Sequence, residues 1–260
     1  MSPESFAGLS LLPLGMEPGT GLLMLLASFA TSALTAAFGL GGGLALLAAL
    51  SFVLPVAALI PVHGLVQLGS NVGRVVVQRR AVSWRVVPPF LAGGAIGALL
   101  GARFVVTLPE PVLLTALGLF VLAITLLRLP RLAAIGPVGF AVAGFGTTFL
   151  TMFFGATGPL NAAVLSKTFA DRMTLVGTLA AITAVQHALK GLAFLSLGVA
   201  LAPYAGLIAG MVAVGFLGTL AGTAWLRRTN EARFRQALTA LLVLVSLDLI
   251  RRGVTGLITG

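Results

Sequence analysis

The chain has no cysteine, which excludes a disulfide, a thiolate ligand and a thiol nucleophile. Acidic residues are scarce: six Asp and Glu in 260 positions, against sixteen Lys and Arg. Residues 18–73, 132–166 and 191–226 contain no Asp, Glu, Lys or Arg at all. Motifs for catalysis are missing too. No HExxH, GxSxG, P-loop or dinucleotide pattern occurs, and no carboxylate is placed for acid/base work inside an apolar span. An enzyme is therefore not expected, nor are catalytic residues, a metal site or a cofactor. The first residues, MSPESFAGLS, lack a basic n-region and do not read as a cleaved signal peptide.

What is abundant is apolar. Such residues make up 58% of the chain, and mean hydropathy is +1.12. A soluble fold has nowhere to bury that much apolar surface, and a membrane-crossing helix needs about 20 apolar residues in a row. The uncharged runs supply several such windows and predict an all-α polytopic membrane protein. The formal charge of +10 is not a nucleic-acid signal, because the basic residues fall in short loops between apolar spans.

Two stretches 116 residues apart are versions of each other: FATSALTAAFGLGGGL at 29–44 and FGTTFLTMFFGATGPL at 145–160. Eight of the sixteen positions are identical, among them Thr35/Thr151, Gly39/Gly155 and Gly42/Gly158. At the same offset, Ser70-Asn71-Val72-Gly73-Arg74 meets Gln186-His187-Ala188-Leu189-Lys190. Each half thus has an apolar segment, a Gly-rich break and a polar triplet ending in a cation, the pattern of a two-repeat transporter. The first repeat reads as 22–38, a break at 39–43, a leg at 44–54, and spans near 56–77, 86–106 and 112–127. The second reads as 135–153, a break at 155–159, a leg at 160–169, and spans near 174–198, 203–226 and 234–250. An eleven-residue leg reaches only about 16 Å, half the hydrocarbon thickness. Each repeat is therefore expected to be a re-entrant or broken helix hairpin plus three transmembrane helices. The resulting segments are 1–21, repeat one at 22–127, a cytoplasmic linker at 128–134, repeat two at 135–250 and a tail at 251–260.

Loop charges give the sides. With a same-side hairpin and three crossings per repeat, the loops 79–85, 128–132, 167–172 and 227–235 share one face and hold eleven Lys and Arg. The opposite loops, 107–111 and 198–203, hold none. The basic face is expected in the cytoplasm and both termini outside. Three crossings is odd, so the second repeat is expected to be inverted relative to the first.

Few polar groups lie at membrane depth. Gln67, Ser70, Asn71 and Arg74 fall at i, i+3, i+4 and i+7 and share a helix face; their counterparts are Thr183, Gln186, His187 and Lys190. Arg74 and Lys190 would bracket a central site. Arg74 lies near Arg79 and Arg80, where snorkelling to headgroups is the alternative. Lys190 lies about 12 Å from its helix end with no carboxylate at its depth, which points to an anion from outside the chain. After each break a helix would start with free N–H groups at mid-depth, which suits an anion; Pro159 fits a helix start and Thr157 can cap it. Glycine-driven kinking is the plain alternative. The candidate substrate residues are Gly41, Gly42, Gly43, Asn71, Arg74, Thr157, Gly158, Asn161, Gln186, His187 and Lys190. His187 is the better proton-linked candidate; His63, opposite Leu179, reads more as a structural hydrogen-bonding residue. Gly93, Gly97 and Gly101, and Gly218 and Gly222, have small-residue packing spacing.

The combination of FGLGGG, FGATGP and SNVGR in a hydrophobic chain of this length resembles the TauE/SafE family of sulfite and organosulfonate exporters, over about 22–250. The resemblance implies an inner-membrane secondary transporter for sulfite, sulfonates or related small anions, usually exporting. Thr157, Pro159 and His187 depart from the glycines and Asn of the first repeat. The expected partners are a small anion and the lipid bilayer, with no nucleic acid; a homo-oligomer is not readable. The alternatives are a proton- or cation-coupled small carboxylate transporter and a non-transporting membrane scaffold subunit.

Overall fold

The structure, a computed structural model, describes residues 12–13, 15–38, 41–105, 108–127, 135–225 and 231–259. The expected linker 128–134, Gly39 and Leu40 of the first break, residues 1–11 and the loop residues 227–230 lie outside them. The described residues form α-helices and short 3₁₀ turns. The first half holds α1 (Pro18–Phe38), α2 (Gly42–Ser51), α3 (Val56–Gln78), α4 (Val87–Val105) and α5 (Glu110–Leu126). The second holds α6 (Pro137–Phe154), α7 (Gly158–Leu165), α8 (Arg172–Ser196), α9 (Ala205–Trp225) and α10 (Glu231–Thr259). The same order occurs twice, down to a 3₁₀ turn ahead of α4 (Trp84–Val86) and of α9 (Ala202–Tyr204).

Length separates the helices into two kinds. The 21 residues of α1 reach about 31 Å, and several other helices are long and apolar enough to cross a bilayer. The ten residues of α2 and eight of α7 reach only about 15 and 12 Å. Each is the short leg after a break. The leg expected at 44–54 runs from Gly42 to Ser51, and the one at 160–169 from Gly158 to Leu165. Of the tail expected at 251–260, residues 251–259 continue α10, and Gly253 and Gly256 lie against Thr115 and Pro111 at the start of α5.

The distribution of side chains is that of a membrane protein. Many large apolar residues are exposed, among them Leu23, Leu99, Val138, Val142 and Leu192, while Arg74, Asn71, Gln186, His187 and Lys190 are buried. In water this arrangement is costly on both counts; in lipid it exposes what lipid solvates and hides what it does not. Multi-pass insertion follows from this pattern together with the helix lengths.

The chief packing partners are α1 with α9, α4 with α6, α3 with α8, and α5 with α10. Every such pair takes one helix from each half. Small residues allow the close approach that lipid-embedded helices need. A Cβ on Gly97 would strike the Phe145 carbonyl, and one on Gly218 the Phe29 carbonyl. A Cβ on Gly101 would lie 3.3 Å from the Phe149 carbonyl, and one on Gly222 would strike that of Ala33. These are the same contacts in the repeat numbering, since Phe29 aligns with Phe145 and Ala33 with Phe149.

Candidate functional site

The two breaks are where the chain must turn sharply, and among the described residues Gly41 of the first has φ 95° and Gly155 of the second φ 71°. Residues with a Cβ avoid that region, so the glycine content of the breaks has a backbone cause here. Past the first break, the first intrahelical bond is Ala45 N–H to the Gly41 carbonyl, 3.0 Å. The N–H groups of Gly42, Gly43 and Leu44 therefore have no acceptor within α2. Past the second, Asn161 N–H bonds the Thr157 carbonyl at 3.1 Å, which leaves Gly158 and Leu160, Pro159 having no N–H. Thr157 does not cap α7 as expected. Its hydroxyl donates to Gln186 Oε1 at 3.3 Å, which draws it off the helix axis.

Both breaks line one cavity of about 50 Å³ with the middles of α3 and α8. Gly41, Gly43, Thr157 and Gly158 contribute from the breaks; His63, Asn71, Arg74 and His187 contribute from the long helices. Gln67 and Thr183, which share those polar faces, line it too, as do Thr35 and Pro159. Thr35 is one of the repeat identities; its position just before a break was the signal available for it. A larger cavity of about 430 Å³ lies by Glu17 and Tyr204, and an apolar one of about 250 Å³ lies by Glu110. Neither contains a buried cation.

Arg74 is only 2% exposed, so its side chain is packed within the bundle. Its Nε and Nη2 are buried with no hydrogen-bond partner, and no carboxylate lines the cavity, among the described residues. Asn71 Nδ2 donates to the Gln67 carbonyl at 2.7 Å, which fixes it on its own helix. His63 Nε2 lies 2.9 Å from the Gly43 carbonyl, tying α3 to the first break. His63 and His187 face one another, ring centroids 5.9 Å apart and edge-on at 78°.

Four of the expected residues do not line the cavity. Lys190, fully buried, donates from Nζ to the Gly155 carbonyl at 3.0 Å and so holds the second break from α8. Gln186 accepts from Asn161 Nδ2 at 2.7 Å and donates to Thr147 Oγ1 at 2.8 Å, linking α7, α8 and α6. Gly42 faces α1, where a Cβ would strike the Thr31 carbonyl. Among the described residues no group of acidic, His or Cys side chains is arranged to hold a metal.

A bundle that is apolar outside and encloses a cationic, carboxylate-free cavity defines a multi-pass membrane protein built around a polar centre. The family model of the sulfite exporter TauE/SafE matches residues 24–249, and the chain belongs to that family. Membership makes it a membrane transporter of sulfur anions rather than an enzyme, at the level of the family. No curated protein and no solved structure matches the chain significantly.

Proposed function

We propose that this protein moves a small anion, sulfite or a related organosulfur anion, across the inner membrane by alternating access around the central cavity, in the export direction. Arg74 carries the reading. A buried guanidinium with unpartnered nitrogens, facing a cavity without a carboxylate, is costly unless an anion completes it. The starts of α2 and α7 add unbonded N–H groups and the positive ends of two helix dipoles to the same cavity. The two halves are inverted repeats in this reading. Support comes from the reciprocal packing of α1 on α9 and of α4 on α6, which is what a twofold axis between halves generates. In this reading the basic loops, with α3's end at Arg79, face the cytoplasm and both termini lie outside, which the loop-charge asymmetry supports. Moving one negative charge out of a negative cell gains about 2.3 kcal/mol per 100 mV, so export needs no ATPase.

The test is flux in proteoliposomes together with thermal stabilisation by sulfite. Arg74→Gln is expected to cut sulfite flux at least tenfold and to abolish the stabilisation while the protein still purifies as a folded species. Wild-type flux in that variant would overturn the reading. Taurine-like sulfonates and dicarboxylates in the same assay separate sulfur anions from a carboxylate substrate. A scaffold would show neither flux nor anion-dependent stabilisation.

A further inference from the structure

We propose that His63 and His187 form a proton site coupled to the anion site, so that an anion entering the cavity brings a proton from solution onto this imidazole pair. The proposal rests on the anion reading above and adds a second ion to it.

The geometry fixes one tautomer. A carbonyl oxygen only accepts, so the Nε2 of His63, 2.9 Å from the Gly43 carbonyl, carries its hydrogen. The Nδ1 of the neutral ring is then a bare lone pair, and it is buried with no partner. His187 Nδ1 is buried and unpartnered as well, on a ring 5.9 Å away. Both rings line the cavity that Arg74 faces. Buried polar atoms normally find partners, and two unfilled imidazole nitrogens at one cavity indicate that something else fills them.

Charge decides when a proton does so. Lys190 lies three residues beyond His187 on α8, and Arg74 of α3 lines the same cavity as both rings. α1, α2, α6 and α7 carry no Asp, Glu, Lys or Arg. Arg85 ahead of α4, Arg103 at its end and Glu110 at the start of α5 are exposed. In the empty cavity a charged imidazole would therefore meet two cations and no counter-charge. An oxyanion in the cavity reverses that balance. Proton and anion each favour the other, and by linkage the two enhancements are equal. The proton comes from bulk water, adds to an imidazole nitrogen lone pair, and returns to water when the anion leaves; no bond within the anion changes. His63 has Leu179 as its repeat counterpart, so the fold provides this pair once.

The chain has two histidines in total, so imidazole nitrogen NMR of the untagged, full-length protein in lipid nanodiscs reads this pair alone. Over a pH titration, saturating sulfite is expected to move the imidazole protonation curve to higher pH, so that within the titrating range the protonated fraction at a given pH rises at least about twofold. The signal belongs to the rings, so sulfite's own titration does not enter it. Stabilisation by sulfite with unchanged imidazole signals would overturn the proton site and leave the anion reading standing. No stabilisation and no flux would sink the anion reading and this proposal with it. Per sulfite bound, His187→Gln is expected to take up fewer protons than wild type; equal uptake per bound anion would count against the pair.

Discussion

The ammonium of Lys190 donates to the carbonyl of Gly155 at 3.0 Å, joining the middle of α8 to the one residue of the second break that has positive φ. Thr151 Oγ1 donates to the same carbonyl at 3.0 Å. Gly64 of α3 makes room for the lysine stem, since a Cβ there would lie 3.1 Å from Nζ and closer still to Cε. The cation thus supports the break backbone instead of lining the cavity. Lys190→Met keeps most of the stem and removes the donor. It is expected to cost about 1–3 kcal/mol, read as a lower apparent Tm in detergent. Gly64→Ala should destabilise as well, by pushing the stem aside. Two variants as stable as wild type would refute this support.

The glycine contacts between α4 and α6 and between α1 and α9 give a second expectation. Gly97→Ala and Gly218→Ala each drive a methyl into a backbone carbonyl of the facing helix. Each should cost about 1–3 kcal/mol, and the two should add because they lie in different interfaces. Gly146 is the control: a Cβ there meets nothing within 4 Å. Gly146→Ala is expected to be neutral or stabilising by up to about 1 kcal/mol. Thermal unfolding of the three variants and the double variant checks the set.

Arg252 of α10 donates from Nη1 to the carbonyl of Ser51, the last residue of α2, at 3.0 Å. That carbonyl is one of the helix-end acceptors with no intrahelical donor, and a cation there also complements the helix dipole. Arg252→Ala is expected to loosen the short leg. The readout is amide hydrogen exchange over residues 44–54, which should speed up several-fold while α8 is unchanged. Exchange that is uniform across the chain would mean that Arg252 has no local role at α2.

Outside the membrane, Asp171 caps α8. Its carboxylate accepts from Thr174 N–H at 2.7 Å, and this bond holds the carboxyl below its ordinary range. A depressed folded value means the stabilisation is present above the unfolded carboxyl range, near pH 4, and is lost as pH falls through the folded value. Asp171→Ala should therefore lower Tm at pH 7 and converge with wild type in strong acid. A deficit that is the same at both pH values would show that the cap's charge is irrelevant.

Much of the site was legible in one dimension because a duplication writes it twice. The offset of 116 paired Gly39 with Gly155 and Arg74 with Lys190, and helix periodicity put Gln67, Asn71 and Arg74 on one face. The side chains' hydrogen-bond choices were not legible. Lys190 and Arg74 occupy matched positions, yet one reaches a backbone carbonyl and the other faces the cavity. Gln186 and Asn161 satisfy one another, and Thr157 bonds Gln186 in place of its own helix. Each choice depends on which acceptors lie within about 3 Å, and sequence spacing carries no such distance.

Composition by itself determined that this chain is a helical membrane protein, because uncharged runs of helix-spanning length leave no other solvent for it. The repeated motifs determined the family. Only the tertiary structure decided that both breaks open on one small cavity, that Arg74 rather than Lys190 is the cation facing it, and that His63 meets His187. Those facts follow from α3 packing on α8 and from the breaks docking at their midpoints, where backbone carbonyls compete with any ligand for the same few donors.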